Sequence, residues 1–141
     1  MNRRFNTIRV LVVDDLPEMR EIIAQLLVHE GFRTSLAADG QEAMNLLMEQ
    51  SFDIVVSDVQ MPRMDGFELL QAVHLRYPHL SVILMSAFAD RETEEAALAW
   101  GAVALLQKPF EIKALTALIL LAIEAADKPI GAAAGATIAA K

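Results

Sequence analysis

Short continuous runs of Val, Ile and Leu alternate along this sequence with longer segments in which apolar residues recur at helical spacing. The runs predict four strands, which are RVLVV at 9–13, FDIVVSD at 52–58, LSVILMS at 80–86 and AVALL at 102–106, and FRTSLA at 32–37 indicates a weaker second strand. Continuous apolar runs are typical of strands buried on both faces, and connections of this length suit right-handed crossovers between parallel strands. The alternation therefore predicts an α/β fold, a doubly wound parallel sheet with helices on both faces.

The segments between the runs predict five helices. Pro17 suits the first turn of the first helix, which we expect to run to about residue 30, with Gly31 able to end it. Its apolar stripe consists of Met19, Ile22, Ile23, Leu26 and Leu27. Asp39, followed three residues later by Glu42, resembles a capping box that opens the second helix.

The length of 141 residues suits a single domain, which we expect at 8–126 after an N-terminal extension at 1–7. The last segment, DKPIGAAAGATIAAK at 127–141, consists mostly of small residues. It has too little bulky apolar surface to offset the entropy lost on ordering. We therefore expect it to be a disordered tail or a linker.

Composition excludes several kinds of protein. A net charge of −7 argues against a broad nucleic-acid-binding surface. The most apolar segment, ALTALILLAI at 114–123, is about half as long as a membrane span. Without cysteine there is no disulfide or thiolate site, which suits a reducing compartment. We expect a cytoplasmic protein that contacts neither nucleic acid nor membrane directly.

Polar residues stand at the ends of four predicted strands: Asp14 and Asp15 after the first, Asp58 at the third, Ser86 at the fourth and Lys108 after the fifth. The carboxyl ends of parallel strands meet at one edge of the sheet, where such folds bind ligands. Three neighbouring carboxylates repel one another, so at neutral pH either a pKa rises or a cation binds. An oxygen-only set of ligands favours Mg²⁺.

Asp58 is a candidate nucleophile, because a carboxylate that attacks phosphorus forms an acyl phosphate. Phosphoryl transfer requires positive charge on the phosphoryl oxygens, which Mg²⁺ and the Lys108 ammonium would supply. The Ser86 hydroxyl would donate a hydrogen bond to a third phosphoryl oxygen. The sequence therefore predicts a phosphoryl-transfer site at this edge.

Four motifs closely resemble the receiver domain of two-component response regulators: VVDD at 12–15, SDVQMPRMDG at 57–66, MSA at 85–87 and KPF at 108–110. The resemblance extends over about residues 8 to 125. It implies a flavodoxin-like (βα)5 fold with strand order 2-1-3-4-5. It also implies that Asp58 is the phosphoacceptor and that the donor is a phosphohistidine on a sensor histidine kinase or phosphotransfer protein.

The resemblance assigns the metal ligands as well. Mg²⁺ is expected on Asp15, Asp58 and the backbone carbonyl of Gln60, with Asp14 orienting a metal-bound water. Such a domain is a signalling switch that assists only its own phosphorylation and dephosphorylation, and is not an enzyme for an external substrate. Its expected downstream partner is an effector protein or domain.

The switch itself departs from the family. Ser86 is implied as the switch hydroxyl and Lys108 as the contact to the phosphoryl group, but the usual Tyr or Phe three residues before the lysine is Leu105 here. Leucine has neither a ring edge nor a phenol to present, so coupling of Ser86 to an aromatic side chain is not expected. Movement of Ser86 and the following loop can still carry a signal.

Alternative functions remain open on the sequence. A phosphatase with an aspartyl nucleophile needs a general acid two residues after it, where this chain has Gln60. A flavin binder needs a loop with clustered Ser, Thr and Gly, which is not apparent. The chain can also be the receiver fragment of a larger DNA-binding or enzymatic regulator.

The last helix is rich in large apolar residues, so we expect Leu120 and a neighbouring apolar residue to face outward in a homodimer or effector contact.

Overall fold

The computed structural model describes residues 7–126, which form alternating strands and helices. In chain order the elements are β1 (Arg9–Val13), α1 (Pro17–His29), β2 (Arg33–Ala37), α2 (Gly40–Glu49), β3 (Ile54–Asp58), α3 (Gly66–Arg76), β4 (Ser81–Ser86), α4 (Arg91–Ala99), β5 (Ala104–Gln107) and α5 (Ile112–Ala126). Every strand begins and ends within two residues of its predicted limits. The predicted tail at 127–141 and residues 1–6 of the predicted extension lie outside the described residues.

All strand pairs in the sheet are parallel, and the strand order is β2-β1-β3-β4-β5. The predicted doubly wound α/β fold and its strand order are therefore confirmed. The order reverses at β1, which pairs with β2 on one side and β3 on the other. At such a reversal the connections leave in opposite directions and open a crevice beyond the carboxyl ends of the strands.

The sheet separates two apolar layers, because alternate residues of a strand point to opposite faces. Leu11 and Val13 of β1 pack on the side of α2, α3 and α4, whereas Val10 and Val12 pack on the side of α1 and α5. Large side chains in these layers are fully buried, each worth about 1.5–3 kcal/mol relative to exposure. This double-sided burial is what fixes the positions of the strand ends.

The buried face of α1 is narrower than the apolar stripe predicted from its sequence. Its buried residues are Ile23, Ala24 and Leu27, whereas Ile22 and Leu26 of the predicted stripe are exposed. The helix ends at His29, and Gly31 follows with a φ of 107°, a conformation that glycine adopts without strain.

Helix capping follows the predicted motif only in part. Asp39 Oδ1 accepts a hydrogen bond from Glu42 N, at 2.9 Å, as predicted for an N-cap. Glu42 Oε1, however, accepts from Ala38 N instead of returning to Asp39, so the predicted box is not closed. A complete capping box opens α3, where Asp65 and Glu68 exchange both bonds.

The prediction about the outer face of α5 is wrong for one residue. Leu120 is half-buried against the apolar layer beneath the helix, whereas Leu121 is 48% exposed. Successive residues in a helix differ by about 100° around its axis, so an error of one position changes the face.

In residues 7–126, no helix has both the length and the apolar character that a membrane crossing demands.

Candidate functional site

The carboxyl edge of the sheet gathers the polar residues that the sequence singles out. Asp14 directly follows β1, Asp58 ends β3, Ser86 ends β4 and Lys108 directly follows β5. Because β1 and β4 both lie beside β3, Asp14 and Ser86 flank Asp58 along the edge. The predicted convergence at this edge follows from the strand register.

Lys108 is the residue that links the acidic side chains. Its Nζ donates to Asp14 Oδ2 at 3.1 Å and to Asp58 Oδ2 at 3.2 Å. The Asp14 side chain is fully buried and that of Lys108 is only 13% exposed. Hydrogen bonds between ionised groups at such sites are stronger than neutral ones because water screens them little.

Burial raises the pKa of Asp58 above its ordinary value of 3.8. The charges of Asp14 and Asp15 raise the pKa further, and the Lys108 ammonium opposes them. For Lys108, burial by itself would lower the pKa, but its bonds to Asp14 and Asp58 and their charges raise it above 10.5. Lys108 therefore carries its positive charge at neutral pH.

Asp14 is held rigidly by its own surroundings. Its Oδ1 accepts from Leu16 N at 3.0 Å, and its backbone N–H donates to Ala37 O at 3.2 Å. Arg20 Nη1, from the first turns of α1, donates to the backbone carbonyl of Asp14 at 2.8 Å. The sequence interpretation missed Arg20, whose distance of six positions from Asp14 corresponds to no standard motif.

Asp14, Asp15 and Asp58 form an acidic cluster whose chosen carboxylate oxygens all lie within 4.8 Å of one another. Asp14 and Asp58 are buried and Asp15 is half-buried, so the cluster is partly open to solvent. Oxygen ligands at this separation fit a hard divalent cation such as Mg²⁺, which keeps several waters. Gln60 lies two residues beyond Asp58 in the exposed segment before α3.

The segment between β3 and α3 passes very close to the end of β3. Gly66 N donates to Val59 O at 2.7 Å, and a Cβ atom at Gly66 would lie 2.3 Å from Asp58 O. Arg63 in the same segment has a φ of 67° and forms an ion pair with buried Asp39. The close contact with the backbone of Asp58 leaves no room for a side chain at Gly66.

Ser86 is buried at the end of β4, and its hydroxyl is engaged with the following loop. Ser86 Oγ accepts from Phe88 N at 3.0 Å, and Ser86 O accepts from Lys108 N at 2.8 Å. Leu105, at the position where an aromatic residue is usual, is buried beside Leu84 of β4. Gln107, which the sequence interpretation did not single out, bonds to the loop after Ser86.

The sequence matches the family model for the response regulator receiver domain over residues 10–120. It is 38% identical over 111 residues to the response regulator protein FleR of Pseudomonas aeruginosa, covering 79% of this chain and 24% of FleR. It is 36% identical over 114 residues to the DNA-binding transcriptional regulator NtrC of Escherichia coli, covering 81% of this chain and 24% of NtrC. The chain thus spans about a quarter of the length of these relatives.

The fold also resembles solved receiver structures. The response regulator protein TrrA of Thermotoga maritima, solved in complex with Mg²⁺-BeF, superposes with a TM-score of 0.75 at 27% identity, covering 82% of this chain and 98% of TrrA. The likeness therefore extends over most of this chain and nearly all of TrrA. With agreement in sequence and fold over most of its length, the chain belongs to the family of response regulator receiver domains.

Proposed function

We propose that Asp58 accepts a phosphoryl group from a phosphohistidine on a sensor histidine kinase or phosphotransfer protein, and that the phosphorylated domain then alters a surface for an effector. One observation carries this proposal. The Lys108 ammonium lies 3.2 Å from Asp58 Oδ2 at the carboxyl edge, so a cation stands beside the carboxylate that would receive the group. Membership of a family of signalling domains supports the same assignment.

In the proposed transfer, the P–N bond of the phosphohistidine breaks and a P–O bond to a carboxylate oxygen of Asp58 forms. Asp58 has to be ionised to attack. Lys108, which remains protonated, would balance charge on the phosphoryl oxygens. Ser86, at the end of the neighbouring strand, would donate a hydrogen bond from its hydroxyl to a third oxygen.

Asp15, Asp58 and the backbone carbonyl of Gln60 would hold Mg²⁺, and Asp14 would orient a water bound to it. The 4.8 Å acidic cluster and its oxygen-only ligands support this assignment. When bound, Mg²⁺ supplies positive charge to the transferring phosphoryl group. The relative TrrA is known in a complex with Mg²⁺-BeF.

Receiver domains are signalling domains, and the proposal includes no turnover of an external substrate. In a phosphatase with an aspartyl nucleophile, the residue two positions later protonates the leaving group, and the amide of Gln60 cannot do so. The domain would therefore assist only its own phosphorylation and dephosphorylation.

The domain organisation, the compartment and the partners of the protein are also part of the proposal, because the chain spans only about a quarter of FleR and NtrC. We propose an N-terminal extension at 1–7, the receiver at 8–126 and a tail or linker at 127–141, in a cytoplasmic protein. NtrC is a DNA-binding regulator, so we expect a lack of nucleic-acid contact for the receiver domain alone. The net charge of −7 of the given chain supports this expectation. Leu121, exposed on α5, would belong to a homodimer or effector contact.

The test is intact-mass spectrometry after incubation with two small donors, acetyl phosphate and phosphoramidate, with Mg²⁺ or with chelator. We expect one added phosphoryl mass that depends on Mg²⁺ and disappears in Asp58→Asn. Asp53→Asn is the matched control, because it makes the same change just before the other end of the same strand. Phosphorylation of Asp58→Asn, or no added mass with either donor on a folded wild-type protein that binds Mg²⁺, would contradict the proposal.

A further inference from the structure

The side chain of Gln107 forms three hydrogen bonds at the end of β5. Its Nε2 donates to Ala87 O at 2.8 Å and to Lys108 O at 2.8 Å. Its Oε1 accepts from Ala89 N at 3.1 Å. One exposed amide thus uses its donor and its acceptor to join the end of β5 to the loop between β4 and α4.

That loop begins at Ser86, which the proposed function uses as the switch hydroxyl. The loop is held by the bond from Phe88 N to Ser86 Oγ and, on either side of Phe88, by the two bonds between Gln107 and the loop. Gln107 also directly precedes Lys108, whose ammonium contacts Asp58. A single side chain therefore spans the two segments that flank the site.

The Gln107 bonds are suited to being broken and reformed. They lie at the surface, where water competes for each donor and acceptor, so their net strength is modest. The neighbouring Leu105 is apolar and buried, and it offers no polar group to the loop. Among the described side chains, Gln107 is the one whose hydrogen bonds join β5 to this loop.

We propose that Gln107 is a positioning residue that holds the loop after Ser86 in its unphosphorylated arrangement and releases it when Ser86 turns toward a phosphoryl group on Asp58. The inference rests on the proposed function and specifies how that site is regulated. A contact that favours one of two arrangements must oppose any ligand that favours the other. Loss of the Gln107 bonds should therefore make the phosphorylated arrangement easier to reach.

The test compares Gln107→Met with Gln41→Met. Methionine keeps the length of glutamine and removes all three bonds, so side-chain volume is nearly unchanged. Gln41 is a matched control because it is an exposed glutamine whose Nε2 donates to Asn45 Oδ1 within α2, away from the loop. Gln107→Glu is a third variant, which keeps the acceptor for Ala89 N and loses both donors.

Two measurements are made on each variant: amide hydrogen exchange at Phe88 and Ala89, and affinity for beryllofluoride with Mg²⁺. We expect Gln107→Met to raise exchange at these amides about fivefold and to tighten beryllofluoride binding about fivefold, with Gln107→Glu intermediate or similar and Gln41→Met unchanged. A purely structural role would change exchange without changing affinity.

The outcomes separate this inference from the function on which it rests. Unchanged exchange and affinity in Gln107→Met, alongside a wild type that binds beryllofluoride and becomes phosphorylated, would overturn the positioning role and leave the proposed function intact. Weaker binding by Gln107→Met would also overturn it, because the contact would then favour the phosphorylated arrangement. A folded wild type that binds no beryllofluoride and accepts no phosphoryl group would refute both.

Discussion

Lys108 Nζ lies 3.2 Å from Asp58 Oδ2, although the two residues are 50 positions apart in the sequence. The contact exists because Asp58 ends β3 and Lys108 directly follows β5, with β4 between these strands. Asp14 shares the same ammonium at 3.1 Å. A substitution at any of the three should therefore change the electrostatic environment of the other two.

Lys108→Met should slow phosphorylation by small donors about 100-fold, because it removes the ammonium beside the transferring group and keeps a side chain of similar length. It should also destabilise the metal-free fold by about 2 kcal/mol, since two largely buried carboxylates lose their bonds to it. An intact-mass time course and urea unfolding measure the two effects. Lys113→Met, which removes an exposed lysine paired with Glu30 at 3.7 Å, should leave both quantities near wild type.

Asp58→Asn should stabilise the fold at neutral pH in metal-free buffer. The pKa of Asp58 is raised in the folded protein, so its ionised form destabilises the fold at any pH above that raised value. As the pH falls toward 3.8, wild-type Asp58 becomes protonated and the advantage of the amide should disappear. Urea unfolding of both proteins at several pH values measures the difference, and a stability advantage that grows on acidification would show the sign to be wrong.

Asp39→Asn should change the stability of the fold in the opposite direction from Asp58→Asn. The backbone hydrogen bond from Glu42 and the Arg63 guanidinium lower the pKa of Asp39, so ionised Asp39 stabilises the fold above 3.8 and loses this contribution as the pH falls. The amide can still cap α2, but a neutral acceptor forms a weaker hydrogen bond with Glu42 N than the carboxylate does. The substitution should therefore be destabilising at neutral pH and become less so in acid.

Mg²⁺ should stabilise the wild-type protein, because relief of repulsion within the acidic cluster is available only in the folded state. At a free concentration 100 times the dissociation constant, the increase in the free energy of unfolding should be about 2.7 kcal/mol. Asp15→Asn should reduce this response, while Glu18→Gln, which changes an acid in the first turn of α1, should not. Thermal unfolding with Mg²⁺ or chelator tests this, and an equal response in all three proteins would argue against the assigned ligand.

The sequence was sufficient to predict the features set by burial. Continuous apolar runs placed four strands within two residues, and the weaker pattern of FRTSLA did the same for β2, although that strand is only partly buried. Parallel strand ends then brought Asp14, Asp58 and Lys108 to one edge. Such predictions tolerate small errors because a buried strand has apolar neighbours on both faces. The family resemblance added the strand order, which apolar periodicity alone does not determine.

Features that depend on a single side-chain direction were not predictable in the same way. Leu120 and Leu121 are adjacent leucines in a helix that is apolar on more than one side, so composition could not tell which is exposed. The bonds of Gln107 depend on where the loop after β4 passes, and no local motif specifies that path. The pairing of Arg63 with Asp39 likewise depends on a backbone conformation unusual for arginine.

Gly66→Ala should destabilise the fold by about 1–3 kcal/mol and lower the rate of phosphorylation. The added Cβ would lie 2.3 Å from the carbonyl oxygen of Asp58 and 2.8 Å from Val59 Cα, so the backbone that carries Asp58, the proposed phosphoacceptor, has to shift. At Gly40 an added Cβ would lie 2.7–2.8 Å from Cγ, Cβ and Sδ of Met64, so Gly40→Ala should also destabilise the fold, but it should leave the rate of phosphorylation near wild type because the clash is not with the backbone of Asp58. Chemical unfolding and intact-mass rates distinguish the two, and equal effects would show that the contact with β3 is unimportant.

Arg63→Gly should unfold at a higher temperature than Arg63→Ala, by about 2–6 °C. Both substitutions remove the ion pair with Asp39, but only glycine adopts the φ of 67° at this position without a steric penalty. The ion pair itself should contribute little, because the Arg63 side chain is largely exposed and water screens its charge. Arg63→Gly should therefore match or exceed the wild type in thermal stability, since relief of the backbone conformation offsets the lost pair. If both variants were equally destabilised, the ion pair would be the dominant contribution and the cost of the left-handed backbone negligible.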